Sequence, residues 1–200
     1  MKILFTASLF LCALPGLAQH AAPPPLPPPI WDNAEAVLQA GANYSRGQGV
    51  AKNEARALQC YQRAAELGSV VAMDNVGTYY AIGRGVAVDK VRAIAWYRRA
   101  AAHGYVPAMN NLGVLYSAKV QGKPDYCQAL DWFKKSAEGG SATGMWHLGQ
   151  AYRQGLCPQA RNKQLAQQWL RNAVAIGSQL SAAGADRYAA EQAALELRKL

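Results

Sequence analysis

The stretch Gly83–Lys90, GRGVAVDK, carries two glycines one residue apart beside cationic side chains, a pattern that could cradle a phosphate ahead of a helix. Alone it is weak: a dinucleotide fingerprint needs a preceding strand, a third glycine three residues on and an acidic residue downstream. Nothing upstream of Gly83 alternates like a strand. The deciding observation is that the stretch recurs. Shifted by 36 residues, Ala36, Gly41, Tyr44, Gly47, Gly49, Val50, Ala57, Tyr61, Ala64, Ala65 and Gly68 superpose on Ala72, Gly77, Tyr80, Gly83, Gly85, Val86, Ala93, Tyr97, Ala100, Ala101 and Gly104. A sequence that matches itself at such a period is an array of structural repeats.

A third copy keeps Ala108, Leu112, Gly113, Tyr116, Asp125, Ala129, Trp132, Phe133, Ala137 and Gly140, with Lys119 and Gln121 in place of its loop glycines. A fourth keeps Leu148, Gly149, Tyr152 and Gly155 and, after one inserted residue, Ala166, Trp169, Ala173 and Gly177. The units run over residues 34–69, 70–105, 106–141 and 142–178. Each reads as two helices. Ala72, Val76, Gly77 and Tyr80 share one helical face, and Ala93, Trp96, Tyr97, Ala100 and Ala101 share another, while Gly104 closes the second helix. The loop glycines supply the positive φ of a tight turn, and Asp89, matched by Asn53 and Asp125, is placed to cap the second helix. One helix pair cannot cover its own apolar face, so neighbours stack into a solenoid with capped ends.

The pattern, most complete over Ala72–Gly104, resembles the Sel-one-like repeat, a relative of the tetratricopeptide repeat. The resemblance covers about 140 residues and implies an all-α fold: a right-handed α-solenoid of about four helix-turn-helix repeats, first helices lining a concave groove. Cys60 departs from the pattern by replacing the tryptophan of the second helix, and the third loop departs by lacking its glycines. Residues 182–200 read as a C-terminal capping helix, with Tyr188 and Leu195 expected to face inward and Glu191, Glu196, Arg198 and Lys199 to face water.

The N-terminal region has a different character. Residues 1–18, MKILFTASLFLCALPGLA, read as a secretory signal with one early lysine, a short apolar run, a Pro15-Gly16 break and small Ala18 at the cleavage point. That run is too short to span a bilayer, so no transmembrane anchor is expected. Residues 19–30 are a proline-rich spacer, and order is expected from Trp31, with Asp32 as helix N-cap and Glu35 completing a capping box. Processing leaves 182 residues and, without Lys2, a net charge of +8. That excess favours acidic partners or a solvated basic face. No basic stripe carries stacking aromatics, and nucleic acid is not an expected partner.

Sites for chemistry are scarce. The chain has no GxSxG, HExxH, CxxC or SxxK, and no His, Cys and carboxylate set at metal-ligand spacing, so no catalytic residue, metal or cofactor is assigned. Cys60 falls at a core position and reads as a small buried hydrophobe. Cys127 begins the second helix of the third unit and Cys157 lies in the loop of the fourth. Stacking brings both to one edge and predicts a Cys127–Cys157 disulfide in an oxidising compartment. The regular cysteine pairing within each helix pair seen in some Sel-one-like proteins is missing.

If the first helices pack as in tetratricopeptide repeats, the groove-facing series is Leu38, Asp74, Asn110 and Trp146, followed one turn on by Ala42, Thr78, Val114 and Gln150. Beside these run Asn75, Asn111 and His147, and then Arg153. Trp146 is either an interface anchor or a contact for the capping helix. His147 reads as a neutral polar groove residue. Family resemblance and leader together imply a non-catalytic protein-binding module, monomeric when free, in the periplasm of a Gram-negative bacterium or secreted. Its partner would be another protein, either a secreted phospholipase-type effector neutralised by an immunity protein, or an envelope protein of the cell-wall or secretion machinery served by an adaptor. The third alternative, an enzyme acting on cell-wall or β-lactam substrates, lacks a nucleophile and base.

Overall fold

A computed structural model describes residues 30–118, 122–157, 161–179 and 184–199. The signal segment, most of the proline-rich spacer and the loop residues Lys119 and Gln121 lie outside the described residues. A 3-10 turn, Ile30–Asp32, precedes α1 (Ala34–Arg46), α2 (Glu54–Glu66), α3 (Val70–Ile82), α4 (Lys90–Ala102), α5 (Val106–Ser117), α6 (Tyr126–Glu138), α7 (Ala142–Gln154), α8 (Lys163–Gly177) and α9 (Gly184–Leu197). There is no strand among the described residues. Four antiparallel pairs, α1 with α2 through α7 with α8, stack in order, and each second helix also packs on the first helix of the next pair.

Local chemistry starts and stops each helix. The side chains of Asn53, Asp89, Asp125 and Asn162 accept a bond from the backbone amide three residues on, capping α2, α4, α6 and α8. Gly47, Gly83 and Gly155 close α1, α3 and α7 at φ of 72°, 75° and 66°. Only glycine takes that conformation without strain, which is why this position recurs as glycine. The first helix departs from expectation at its start. Its N-cap is Asn33, whose side chain accepts from the Ala36 amide at 3.0 Å. Asp32 ends the 3-10 turn instead and pairs with Arg63 at 2.9 Å. A cap needs extended backbone, which Asn33 has and a residue inside the turn lacks.

Inside each pair the helices touch through a glycine. A Cβ on Gly41 would lie 2.7 Å from the Tyr61 ring, and one on Gly77 would lie 2.7 Å from the Tyr97 ring. Phe133 and Leu170 take that place in the later pairs, opposite Gly113 and Gly149. The core is otherwise a file of alanines with Val37, Val76, Leu112, Leu148 and Leu170 wholly buried among them. Cys60 is buried with them as a free thiol, and burial pushes its pKa up to about 11.

The C-terminal helix caps the stack with a different face from the expected one. Tyr188 and Leu195 are 57% and 47% exposed, while Ala189, Ala190 and Ala193 are buried. The cause is proximity: a Cβ on Gly177 at the end of α8 would lie 2.5 Å from the Ala190 Cβ, so only alanine fits between α8 and α9. Glu196 also turns inward, 14% exposed, to meet Arg153.

Candidate functional site

The first helices stand side by side and in the same direction. Asn111 on α5 donates to Asp74 on α3 at 2.9 Å, and Thr143, Trp146 and Arg153 on α7 meet Asp186, Tyr188 and Glu196 on α9 in ascending order. The face made by α1, α3, α5 and α7 is the predicted groove, and the structure gives its residues different roles. Burial pushes the Asp74 carboxyl up to about 6, against the lowering effect of the Asn111 bond. Thr78 shares a 3.0 Å hydroxyl bond with Tyr97 of α4. Asn75, Asn110 and Gln150 are half-buried, and Val114 is 41% exposed.

Trp146 and Arg153 hold the capping helix. The Trp146 indole stands edge-on to Tyr188 at 6.3 Å, and the Arg153 guanidinium reaches Glu196 at 2.6 Å. Of the two readings of Trp146, contact with the cap is the one its surroundings support. His147 lies between two rings, stacked on Phe133 at 4.8 Å and tilted against Trp146 at 4.5 Å. Burial holds its imidazole down to about 4, so it is neutral near pH 7.

Charge divides sharply between the two faces. Among α3, α5 and α7 the only charged residues are Asp74 and Arg153, both already partnered. The cations lie on the second helices: α4 alone carries Lys90, Arg92, Arg98 and Arg99 with no carboxylate. Several rest on aromatic faces, Arg99 over Trp96 at 4.3 Å and Lys135 over Trp132 at 4.2 Å. The basic excess therefore lies mainly on the second helices, and across α3, α5 and α7 the first-helix face is close to uncharged, while α1 adds the opposite charges Glu35 and Arg46.

At the loop edge the Cys127 and Cys157 sulfurs are 2.04 Å apart, joined as a disulfide between the start of α6 and the loop of the fourth repeat. The same edge holds a Glu54 cluster. Burial works to raise the Glu54 pKa, but bonds from Arg84 at 2.8 Å and Tyr79 at 2.8 Å, helped by Lys52, hold it below the usual value. Sequence reasoning missed three groove-edge residues, Tyr126, Phe133 and Leu156. They could have been found in the 36-residue register, where Tyr126 replaces Lys90 and Phe133 replaces Tyr97. Among the described residues no group of His, Cys, Asp and Glu could hold a metal ion, and no helix is long and apolar enough to cross a membrane.

No curated protein matches the sequence. Among solved structures, the Sel1 repeat protein from Oxalobacter formigenes is 26% identical over 86% of this chain and 76% of its own, with a TM-score of 0.66. A protective antigen with the same fold from uropathogenic Escherichia coli, c5321, is 25% identical over 84% of this chain and 38% of its own, with a TM-score of 0.67. A Sel1 repeat protein from Klebsiella pneumoniae, at 21% identity over 83% and 76% of the two chains and a TM-score of 0.52, shares the fold. The Sel1 repeat model matches residues 34–69, 70–105, 106–141 and 142–178, and the chain belongs to the Sel1 repeat family.

Proposed function

We propose that the face built from α1, α3, α5 and α7 holds a segment of a partner protein, so that the chain works as a non-catalytic binding module of the bacterial periplasm. The observation that carries this reading is the contrast within the repeat. The packing glycines Gly41, Gly77, Gly113 and Gly149 do not change from unit to unit and each faces a large apolar or aromatic side chain, whereas Leu38, Asp74, Asn110 and Trp146 differ, as do Ala42, Thr78, Val114 and Gln150. Positions free of the packing constraint are the ones that can be specialised for a ligand. A disulfide and a leader-like N-terminus support export. Trp146 and Arg153 are engaged with α9, so the contact surface is centred on the second and third repeats, at Asn75, Thr78, Asn110 and Val114.

Within this reading the specific role is neutralisation of a secreted antibacterial effector. A photo-crosslinking residue placed at Thr78 or Asn110 of the exported chain should capture a partner that the same residue at Arg99, on the outer face, does not. Capture from Arg99 alone would move the interface to the second helices. Co-expression should protect a cell against an effector encoded beside this chain. Capture of cell-wall or secretion proteins without any protection would make the role that of an envelope adaptor.

A further inference from the structure

Two repeats that share a backbone differ in chemistry at one point of the groove. In the second repeat Thr78 and Tyr97 join hydroxyls where the first helix meets its partner. The same positions in the third repeat are Val114 and Phe133, which have no polar side-chain atom. At the start of the second helix, Lys90 is replaced by Tyr126. Beside these residues lies a cavity of about 320 Å³ lined by Val114, Tyr126, Phe133, His147, Gln150 and Leu156, with Ser117 and Gln154 also at its wall. Val114 and Tyr126 are 41% and 38% exposed, so its mouth is open.

We propose that this cavity is the anchor site of the groove, taking one uncharged apolar side chain, aliphatic or aromatic, from an extended segment of the partner. The identification rests on the groove reading given above. Size is the first argument: the volume is at the lower limit of small-molecule sites and suits a single large side chain. Charge is the second. Among the described residues the lining has no Asp, Glu, Lys or Arg, and His147 is stacked and uncharged, so a charged side chain would lose its water with no counter-ion from them in return. Gln150, half-buried at the wall, has amide groups for the segment's backbone. The third argument is rigidity. Tyr126 and Leu156 are each the chain neighbour of a half-cystine, so the Cys127–Cys157 bond ties the two rim residues together before anything binds.

The test uses the exported chain with its disulfide intact and methyl NMR of Val114 and Leu156. N-acetyl-leucinamide and N-acetyl-phenylalaninamide are the apolar probes, and N-acetyl-lysinamide and N-acetyl-glutamate amide the charged ones. Apolar probes should shift both methyl sets saturably and bind at least about tenfold more tightly than charged ones. Val114→Asp should abolish those shifts. Gln150→Glu should turn the preference toward the lysine probe, which keeps the test informative if the first variant folds poorly. Opening the disulfide with dithiothreitol should weaken the apolar probes by about threefold or more. No saturable shift at Val114 and Leu156, or equal shifts from charged probes, would overturn the anchor site. If probes fail while crosslinks from Thr78 persist, only the anchor falls; if probes bind while crosslinks map to Arg99, the groove reading falls.

Discussion

Gly85 lies against the backbone of Ala55 at the place where, two repeats later, Cys157 is bonded to Cys127. A Cβ on Gly85 would stand 2.6 Å from the Ala55 nitrogen and 2.5 Å from the Glu54 carbonyl carbon. Residues 55 and 127, like 85 and 157, are the same positions in the 36-residue register. The loops of the second and fourth repeats thus seat on the start of the second helix in the repeat before them. Between the first and second repeats a glycine contact and the Arg84–Glu54 pair hold that seat, and between the third and fourth a covalent bond does. Among the described residues nothing lies within 4 Å of a Cβ on Gly49, the first repeat's counterpart, and the matched repeats begin at residue 34.

This pair of glycines separates two costs. Gly49 and Gly85 have φ of 71° and 64°, so alanine at either costs about 1 kcal/mol of backbone strain. Gly85→Ala must also push its loop away from the start of α2, where the nearest atoms are backbone. We expect urea unfolding to give a loss of about 1 kcal/mol for Gly49→Ala and about 3 kcal/mol for Gly85→Ala. Equal losses would show that the loop of the second repeat does not rest on α2.

The disulfide should stabilise through the unfolded chain. It closes a loop of 30 residues, for which chain entropy gives about 3.6 kcal/mol. The Cys127→Ala/Cys157→Ala double variant should lose about that amount, measured by denaturant melts in matched buffer. Without reductant, the processed and denatured protein should titrate the Cys60 thiol alone. A further thiol would show the bond unformed.

The sequence disclosed whatever the repeat imposes. Gly83, Asp89 and the Cys127–Cys157 pair could be placed because the same backbone recurs four times, so one solved loop solves its copies. Legibility ended where the period ended. The inward face of α9 depends on how closely Gly177 lets that helix approach, and no periodicity in residues 184–197 contains that distance. Asn33 and Asp32 are both good caps, and the 3-10 turn that separates them is a tertiary outcome. The cavity was hidden for a subtler reason: Phe133 looks like an ordinary core residue and Val114 like one more variable groove position until the Thr78–Tyr97 bond shows what that pair holds elsewhere.

At the N-terminal end the solenoid finds a substitute for a missing tryptophan. Arg99 and Lys135 lie over the tryptophan three residues earlier in their own helices, but Arg63 has Cys60 there. It turns to Trp31, sits over that ring at 5.9 Å and donates to the Trp31 carbonyl at 3.0 Å. Trp31→Ala should cost about 2 kcal/mol of stability through lost packing. In a double-mutant cycle with Arg63→Ala the losses should fall short of additivity by about 1 kcal/mol, and full additivity would mean the two side chains do not act together.

Asp74 and His147 should pull stability in opposite directions over one pH interval. The native Asp74 carboxyl keeps its proton up to about 6, whereas the unfolded one loses it near 3.8, so this group makes stability fall as pH rises between those values. The native His147 imidazole stays neutral down to about 4 while the unfolded one takes up a proton near 6.5, so this group makes stability rise with pH over nearly the same range. The two largely cancel in the native sequence. Asp74→Asn keeps an acceptor for Asn111 and removes the buried charge; it should gain about 2 kcal/mol at pH 7 and nothing at pH 4. His147→Asn, the residue found at this position in the second and third repeats, should instead gain at pH 4 relative to pH 7. Each variant is compared with the native chain by urea unfolding at both pH values, so that other titrating groups drop out. A difference for Asp74→Asn that stays constant from pH 4 to pH 7 would place the Asp74 carboxyl in water, not between α3 and α5.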